Sequence, residues 1–481
     1  MLARDTHRAY KCANQAEPSE KPKFEGKRVH FIGIGGIGMS GIASILIKQG
    51  YRVSGSDLKE SALTRKLSQE GIVIFKGHDA LHLGNAETVV YSSAITEDNP
   101  ELVAAKAKGL FIMRRAQALA GLMQDKICIA VSGAHGKTTT TALASHLLMH
   151  CGFCPTVAIG GILRNLDDNC CVGKSDYFVA EADESDGTFL YYRPTYAIVT
   201  NIDKEHLDFY HSWQDILNAY TNFIAHIKSA GWLLCCGDDP ALRQITQGYQ
   251  KQIAYFGLLP DNDFSAREIH LNDFSSSFTY CYKGEALGKA AIALSGKHNV
   301  SNALAVIALG RHLGISLENI EAGLAAFKGT ERRFELKYDS NGIKIIDDYG
   351  HHPSEIKATI EAAKNIAHKR IIVIFQPHRY SRTKFLMEEF TGCFQSADCL
   401  ILTDIYAASE RPLSGVSSEA LAHAIKERFT DLDVVYLKKE HIIDYILRIA
   451  QKADVILTLG AGDIGKVSDE LVQRFKCQNT F

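Results

Sequence analysis

Short apolar runs alternate with helix-like segments along this chain of 481 residues. Such alternation predicts an α/β protein whose mostly parallel sheets are covered by helices. The pattern restarts three times with a strand, at KRVHFIG, KICIAVSG and FELKYDSNGIKIIDDY, and the first two strands continue into a Gly-rich turn and a helix. Since domains usually have about 100–200 residues, we predict three of them, over residues 24–122, 123–333 and 334–481.

The composition of the chain indicates which binding partners and which cellular compartment to expect. The chain is 46% hydrophobic and 22% charged with a formal net charge of -2, so neither a nucleic-acid nor a membrane surface is indicated. No apolar run reaches the length of about 18 residues that a membrane span needs. Residues 1–23 lack the apolar core of a secretory signal, and their Pro, Glu and Lys content predicts a disordered lead-in. Twelve scattered cysteines then indicate reduced thiols and a cytoplasmic protein.

A phosphate-binding loop is predicted at Ser132–Thr138 (SGAHGKT), between a buried strand and the helix-like TTTTALASHLLMH. Small residues let backbone N–H groups wrap a phosphate, and the helix N-terminus and Lys137 add positive charge. The Thr138 hydroxyl is placed to ligate Mg²⁺. Val131 stands where the common pattern has glycine, so this loop is a shortened variant. The alternative is an ordinary glycine turn with a solvated lysine.

Acidic residues and a histidine follow the next two strands. In the run DYFVAEADESD, the acids cluster after an apolar strand, at the edge where open α/β sheets bind ligands. Glu181 is nearest to the strand and is our first candidate for a magnesium ligand, against the alternative of a solvated acidic loop. His206 follows the strand YAIVTN and is a candidate second ligand.

The first block carries a second nucleotide motif. Gly33, Gly35 and Gly38 form G-x-G-x-x-G between a strand and a helix, and Asp57 ends the following strand 19 residues later. This fingerprint binds a pyrophosphate through its glycines and a ribose hydroxyl through its acid. It fits an NAD-dependent dehydrogenase, and it equally fits a protein that binds any other nucleoside diphosphate. Together with the phosphate loop, it indicates two nucleotides, one of them ATP.

The third block places charged turns after its strands. Asp348 and His351 lie in DDYGHHP, Arg379 lies in QPHRYSRT, and residues 460–465 (GAGDIG) repeat the glycine spacing. Too few residues follow that last motif for a second nucleotide fold, so we interpret it as a turn that presents N–H groups to an anion. Each of these turns could simply carry solvent-exposed charges. Because all three follow strands of one sheet, however, one shared site is favoured.

Nine motifs, in this order, resemble those of the Mur ligases. They span nearly the whole chain and are GIGGIGMSGIA (33–43), SGAHGKTTT (132–140), EADESD (181–186), NIDKEHLD (201–208), SGKHNVSNALA (295–305), RRFE (332–335), DDYGHHPSE (347–355), QPHRYSRT (376–383) and GAGDIG (460–465). Any one motif alone is weak, whereas their joint order is specific to that family.

The resemblance implies a Rossmann-like UDP-binding domain, a central P-loop ATPase-like domain and a C-terminal Rossmann-like α/β domain that closes over the amino acid. It implies an ATP-dependent ligase that joins L-alanine to the lactyl carboxylate of UDP-N-acetylmuramic acid through an acyl phosphate, with two Mg²⁺ ions. That reaction belongs to peptidoglycan precursor synthesis, and hence to cell wall formation, cell shape and division. A recycling ligase that adds a tripeptide to the same sugar nucleotide is the alternative within the family. We expect a monomer or a weak homodimer.

The resemblance also assigns residues. It implies ATP contacts at Gly133, Ala134, His135, Gly136, Lys137, Thr138, Thr139, Asn299, Asn302, Arg332 and Asp348. It implies catalytic roles for Lys137, Arg332 and His351. UDP-sugar contacts are implied at Gly35, Gly36, Gly38, Asp57 and Ser93, and magnesium ligands at Thr138, Glu181 and His206. Sibling ligases carry a carbamylated lysine, but no lysine follows His206 until Lys228, so none is assigned.

Overall fold

The computed structural model describes residues 24–92, 94–408 and 410–478, so the expected lead-in at 1–23 lies outside the described residues. In the described part of the chain the strands form sheets of five, ten and six members. Helices cover these sheets, which confirms the predicted α/β class. Across the same residues, none of the helices combines the length and the apolar character that crossing a membrane requires.

The first sheet is parallel throughout. Its strands are β1 Arg28–Ile32, β2 Arg52–Asp57, β3 Val73–Lys76, β4 Thr88–Tyr91 and β5 Phe111–Arg114. Its helices are α1 Ile37–Lys48, α2 Ala62–Gln69, α3 Pro100–Ala107 and α4 Arg115–Met123. The spatial order is β3-β2-β1-β4-β5, which changes direction between β1 and β4. Ligands of such sheets bind beyond the carboxyl ends of the strands at that point, where the glycine turn after β1 lies.

The second sheet carries the predicted phosphate loop, residues 132–138, at the end of a central strand. Its strands are β6 Ile127–Ser132, β7 Thr156–Leu163, β8 Asp168–Cys171, β9 Tyr177–Glu181, β10 Tyr196–Val199, β11 Trp232–Cys236, β12 Gln252–Phe256, β13 Phe264–Leu271, β14 Ser276–Tyr282 and β15 Glu285–Ile292. Its helices are α5 Lys137–His150, α6 Leu207–Tyr210, α7 Trp213–Ala225, α8 Pro240–Ile245, α9 Lys297–His312 and α10 Leu317–Ala325.

The strand order of this sheet is β15-β14-β13-β12-β11-β10-β6-β9-β7-β8. Strand β6 pairs in parallel with both β10 and β9. The carboxyl ends of these three strands therefore lie side by side, and the loops that follow them meet at one edge of the sheet.

The third sheet has the order β16-β17-β21-β18-β19-β20, with β16 antiparallel to β17 and the other pairs parallel. Its strands are β16 Glu335–Ser340, β17 Ile343–Asp348, β18 Arg370–Phe375, β19 Cys399–Leu402, β20 Asp433–Tyr436 and β21 Asp454–Leu459. Its helices are α11 Pro353–Ala363, α12 Tyr380–Phe385, α13 Met387–Gly392, α14 Ser418–Arg428, α15 Lys439–Ile449 and α16 Gly465–Gln478.

The continuous apolar run of β18 is explained by burial on both faces. Ile372 and Ile374 pack in one core cluster with residues of α15 and α16, whereas Ile371 and Val373 pack in another with residues of α11 and α14. Each of the four is at most 1% exposed. A parallel strand covered by helices on both sides needs apolar residues at successive positions rather than at alternate ones.

The chain divides into two compact units. Among the described residues, the first unit consists of 24–267, 279–288 and 301–328, and the second consists of 268–278, 289–300 and 329–478. The first sheet belongs to the first unit together with most of the second sheet, and the third sheet belongs to the second unit. The domain boundaries at 122/123 and 333/334 stay predictions.

Direct contacts join the first sheet's helices to the second sheet within the first unit. The Asn169 side-chain amide donates to the Ile37 carbonyl at 2.6 Å, and Lys66 pairs with Asp168 at 2.6 Å. Asn169 is buried, and a Cβ on Gly41 would lie only 3.2 Å from its amide nitrogen. The glycine helix α1 is therefore fixed against the strand β8.

Candidate functional site

Residues 133–136 form the loop between β6 and α5. Gly133 has a φ of +136° and Gly136 a φ of +81°, and L side chains rarely adopt such conformations. A Cβ on Gly133 would overlap Thr200 Oγ1, and one on Gly136 would lie 2.8 Å from Asn302 Oδ1. Space and backbone conformation therefore both require glycine at these two positions.

The segment after β10 holds the loop. The Ala134 N–H donates to the Asn201 carbonyl at 3.2 Å, and the His135 N–H donates to the Asn201 side-chain oxygen at 2.8 Å. In return, the Thr200 hydroxyl and the Asn201 amide donate to the His135 carbonyl at 2.6 and 3.0 Å. These bonds satisfy polar groups of the loop and fix its shape from one side.

Lys137 is the first residue of α5. Its ammonium donates to the carbonyls of Gly133 and Ala134 at 2.6 and 3.1 Å. It also pairs with the Glu184 carboxylate at 2.8 Å. A lysine ammonium has three N–H groups, so the loop and one acid engage all of them.

Thr138, the residue after Lys137, lies beside Glu181 at the end of β9. The Thr138 hydroxyl is 3.1 and 3.3 Å from the two carboxylate oxygens of Glu181. The Gly160 N–H donates to Glu181 at 3.0 Å, and a Cβ on Gly160 would overlap Oε2 of that carboxylate. The strand β7 thus fixes Glu181 beside a hydroxyl, and oxygen donors of this kind suit Mg²⁺.

A second group of acids surrounds His206. The ligand atoms of Glu184, Glu205 and His206 all lie within 4.8 Å of one another. His206 Nε2 is 3.7 Å from Glu184 and 3.8 Å from Glu205. Oε2 of Glu184 is buried without a hydrogen-bond partner in the part of the chain that the structure describes. Because a buried, unsatisfied carboxylate oxygen is costly, this group fits a cation.

Four acidic side chains act electrostatically on Lys137: Glu184, Asp183, Glu181 and Glu205. Burial, opposed by the charge of Lys137 and aided by the Asp183 carboxylate, raises the pKa of Glu184 to about 8. Burial disfavours the charge of Lys137 as well, but Glu184 and Asp183 hold its pKa above the usual value. The ammonium is therefore charged, in surroundings that attract additional cations.

The glycine turn of the first sheet is tied to the end of β2. The Gly35 N–H donates to Asp57 Oδ2 at 2.9 Å, and a Cβ on Gly35 would lie 2.8 Å from that oxygen. Gly36 caps α1, whose first N–H groups are the usual binding element for a pyrophosphate. The structure thus gives Asp57 a role in shaping the turn. Ser93 lies outside the described residues.

The two asparagines of α9 fall in different units. Asn302 is buried in the first unit, against Gly136 of the phosphate loop. Asn299 belongs to the second unit, where its side-chain amide donates to the Ser295 carbonyl at 2.8 Å. Thr139, in the first turn of α5, is buried.

Arg332 forms hydrogen bonds in the second unit, at the carboxyl ends of β17 and β21. Its Nε donates to the buried Asp347 carboxylate at 2.8 Å. Its Nη2 and Nη1 donate to the carbonyls of Gly460 and Gly462 at 2.7 and 3.2 Å. The turn that was predicted to present N–H groups therefore presents these two carbonyls to Arg332.

Asp348 and His351 lie in the turn between β17 and α11. Asp348 accepts hydrogen bonds from the N–H groups of Phe334 and Gly350, both at 2.7 Å, while burial raises its pKa to about 6. His351 Nδ1 lies 3.0 Å from the Tyr349 carbonyl. Both residues are therefore held by the backbone of their own unit.

Substituting Gly133 by alanine is expected to destabilise the protein and to abolish nucleotide binding, because the new methyl group would overlap Thr200. Gly152→Ala is the matched control, since Gly152 also has a positive φ (+77°) but its Cβ would meet nothing within 4 Å. Thermal unfolding should show a cost of about 1–2 kcal/mol for the control, the cost of a Cβ in the left-handed conformation, and a clearly larger one for Gly133→Ala. Equal costs would mean that the contact with Thr200 does not constrain the loop.

Four of these residues were not among those predicted from the sequence: Thr200, Asn201, Glu184 and Glu205. Glu184 and Glu205 lie in acidic motifs that the sequence did single out, but a loop has no periodicity to show which acid faces inward. Thr200 and Asn201 resemble ordinary polar residues after a strand, and only the pairing of β10 with β6 reveals their role.

Comparisons with known proteins agree over most of the chain. Three family models match in succession: the Mur ligase family catalytic domain at residues 28–127, the Mur ligase middle domain at 131–310 and the Mur ligase glutamate ligase domain at 332–462. Proteins from Pelotomaculum thermopropionicum and Geobacter sp. strain M21, both named UDP-N-acetylmuramate–L-alanine ligase, are 47% identical over 94% of this chain and 98% of their own.

Solved structures give the same result. The crystal structure of a UDP-N-acetylmuramate–alanine ligase from Thermotoga maritima is 29% identical and superposes with a TM-score of 0.80, covering 94% of this chain and 99% of the other. A murein peptide ligase from Psychrobacter arcticus is 26% identical with a TM-score of 0.70, over 93% and 98% of the two chains. With its three-domain α/β fold, its phosphate loop and these matches, the chain belongs to the Mur ligase family.

Proposed function

We propose that this chain joins L-alanine to the lactyl carboxylate of UDP-N-acetylmuramic acid and converts ATP to ADP and phosphate. The observation that carries the proposal is the arrangement around Lys137: a loop of the phosphate-binding type next to two groups of metal-donor side chains, in a chain 47% identical to ligases with this name. A carboxylate is a poor electrophile, so amide formation requires its prior activation. Phosphoryl transfer from ATP supplies that activation as an acyl phosphate.

Lys137 is the residue we assign to the transferred phosphate. Its present acceptors include the carbonyls of Gly133 and Ala134, and phosphate oxygens would take over these hydrogen bonds when ATP binds. Because the Lys137 side chain is only 14% exposed, its charge would act on the phosphate with reduced screening by water. The loop N–H groups and the N-terminus of α5, including Thr138 and Thr139, would hold the remaining oxygens.

The donor groups fit two magnesium ions. Thr138 and Glu181 would hold one ion, and His206 with Glu184 and Glu205 would hold the other. Magnesium, when bound there, neutralises charge on the phosphate oxygens as the phosphoryl group moves. The carboxylates of Glu184 and Glu205 are our candidates for the role that a carbamylated lysine has in sibling ligases.

The sugar nucleotide is assigned to the first sheet. Gly35, Gly36 and Gly38 would approach its pyrophosphate at the N-terminus of α1, and Asp57 shapes that turn. Ser93 remains part of this proposal from the resemblance. Asn302, beside the phosphate loop, is proposed to contact ATP.

The remaining assignments rest on the resemblance. Asn299, Arg332 and Asp348 are proposed to contact ATP, and Arg332 and His351 are proposed to act on the reacting groups. For Arg332, its hydrogen bonds to Asp347 and to the turn at 460–462 support a role in holding that turn as well.

Two alternatives were open at the level of the sequence. A recycling ligase for a tripeptide is supported by the likeness to the murein peptide ligase, but that match has the lower identity and TM-score. The dehydrogenase that the glycine fingerprint allowed is not supported, since ligase domain models match residues 28–127, 131–310 and 332–462. We place the reaction in the cytoplasm, in peptidoglycan precursor synthesis, and keep a monomer or weak homodimer as a prediction.

A panel of amines tests the proposal. Phosphate release would be measured with ATP, Mg²⁺ and UDP-N-acetylmuramic acid, in parallel with L-alanine, glycine, L-serine or a tripeptide. We expect L-alanine to give a kcat/KM about tenfold or more above glycine, since one missing methyl group costs that much in a fitted pocket. Preference for the tripeptide would establish the recycling ligase instead, and release with none of the amines would refute both.

A further inference from the structure

Arg115 occupies an unusual position for a cation. It is the first residue of α4, at the carboxyl end of β5, on the edge of the first sheet where ligands bind. The N-terminus of a helix carries partial positive charge, so an arginine there is unfavourable unless an anion compensates it. No acidic residue lies in the first turn of this helix.

The compensating anion comes from the second sheet. Nη2 of Arg115 lies 3.1 Å from Oδ2 of Asp183, in the acidic segment that follows β9. The Asp183 carboxylate also attracts the Lys137 ammonium. Asp183 is therefore within electrostatic reach of the predicted phosphate loop while it holds Arg115 of the first domain.

The same guanidinium lies against the glycine turn. A Cβ on Gly38 would be 3.1 Å from Nη1 and 3.2 Å from Cδ of Arg115. Gly38 is in the first turn of α1, where the N–H groups of this motif face a pyrophosphate. Among the described residues Asp183 is the hydrogen-bond partner of the guanidinium, and none of the Arg115 nitrogens is buried without a partner. N–H groups of Arg115 thus remain for a ligand.

We propose that Arg115 binds the pyrophosphate of the sugar nucleotide and that Asp183, as a positioning residue, holds it in register with the ATP phosphate loop. The inference rests on the proposed function and names a residue of its sugar-nucleotide site. The planar guanidinium suits two phosphate oxygens. Because Asp183 already orients the side chain, little conformational entropy is lost when the pyrophosphate binds.

Calorimetric titration of the full-length protein with UDP-N-acetylmuramic acid, and separately with UDP, tests this. Arg115→Ala should raise both dissociation constants by about 10- to 100-fold, the cost of a lost charge-assisted hydrogen bond. Arg114→Ala is the matched control, since Arg114 is the adjacent residue, is exposed and hydrogen-bonds Tyr91 instead; it should stay within twofold. Binding of a non-hydrolysable Mg²⁺–ATP analogue should change less than threefold in each variant.

Asp183→Asn distinguishes positioning from general support of the fold. It should weaken UDP binding severalfold in the wild-type background and have no further effect in Arg115→Ala, because the two residues act through one interaction. If Arg115→Ala proves unstable in thermal unfolding, Arg115→Lys keeps the charge but not the planar fork, and should still bind UDP at least fivefold more weakly.

Three results would overturn the proposal. These are UDP binding within twofold of wild type for Arg115→Ala and Arg115→Lys, full additivity of the two substitutions, and a penalty confined to the complete sugar nucleotide, which would place Arg115 at the lactyl carboxylate instead. Failure of the proposed function is recognised separately, because the wild-type protein itself would then not bind the sugar nucleotide or not ligate it.

Discussion

Replacing Lys137 by alanine is expected to lower ADP formation by about a thousand-fold or more, the scale on which a cation stabilises the moving phosphoryl group. The ammonium bonds the loop carbonyls and Glu184, so it is already aligned with the loop in which the phosphates would lie. Coupled detection of ADP, with UDP-N-acetylmuramic acid and L-alanine saturating, measures the effect. UDP-sugar binding, which uses the first sheet, should persist within about threefold.

Loss of the fold must be separated from loss of chemistry in this variant. Removing the ammonium leaves Glu184 buried without its cation, and breaking a buried pair costs about 3–5 kcal/mol. Lys137→Met combined with Glu184→Gln removes both charges and should recover the melting temperature but not the activity.

Lys126→Ala, at an exposed pair with Asp176, serves as the lysine control and should be fully active. Near-normal turnover of Lys137→Ala would refute the phosphate-loop assignment.

Substituting Glu181 by glutamine should reduce kcat by roughly a hundred-fold and shift half-maximal activity to higher Mg²⁺ concentration. The neutral amide keeps the shape that Gly160 and Thr138 contact but loses the charge that would hold the ion. A titration of activity against free Mg²⁺, at fixed ATP, measures both effects.

The opposite end of the same strand provides the control for that substitution. Asp176 immediately precedes β9, with its side chain 77% exposed in a surface pair. Asp176→Asn should leave both kcat and the Mg²⁺ dependence unchanged, because such pairs contribute at most about 1 kcal/mol. If the dependence of activity on free Mg²⁺ were unchanged in Glu181→Gln, Glu181 would not be a magnesium ligand. The group around His206 would then be the remaining candidate for a magnesium site.

Much of the fold follows from local signals. A run such as RIIVIF can only be stable where both faces are covered, and it forms the central strand β18 of the third sheet. Each Gly-rich turn marks a strand-to-helix junction, since positive φ values at Gly33, Gly133 and Gly136 suit glycine. Spacing along the chain is therefore sufficient to predict the two strand-turn-helix starts at β1 and β6.

The site depends on contacts that spacing does not encode. Asn201 holds the phosphate loop because β10 lies next to β6, although about 65 residues separate these segments in sequence. Arg115 of the first domain pairs with Asp183 of the second sheet, and although Asp183 lies in the motif EADESD, that motif does not predict this contact. Glu184, and not Glu181, forms the ion pair with Lys137. Side chains alternate between the two faces of a sheet only within a strand, so beyond the end of β9 the sequence does not show which acid points inward.

On our proposal, the chain activates the lactyl carboxylate by phosphorylation before an amide forms with L-alanine. Turnover of UDP-N-acetylmuramic acid labelled with ¹⁸O in both carboxylate oxygens tests it directly, with mass spectrometry of both products. Attack of one carboxylate oxygen on the γ-phosphorus, followed by attack of the amine on the acyl carbon, transfers that oxygen to phosphate. We therefore predict one ¹⁸O in each released phosphate and one in each new amide. Unlabelled phosphate released together with the amide product would contradict an acyl phosphate intermediate.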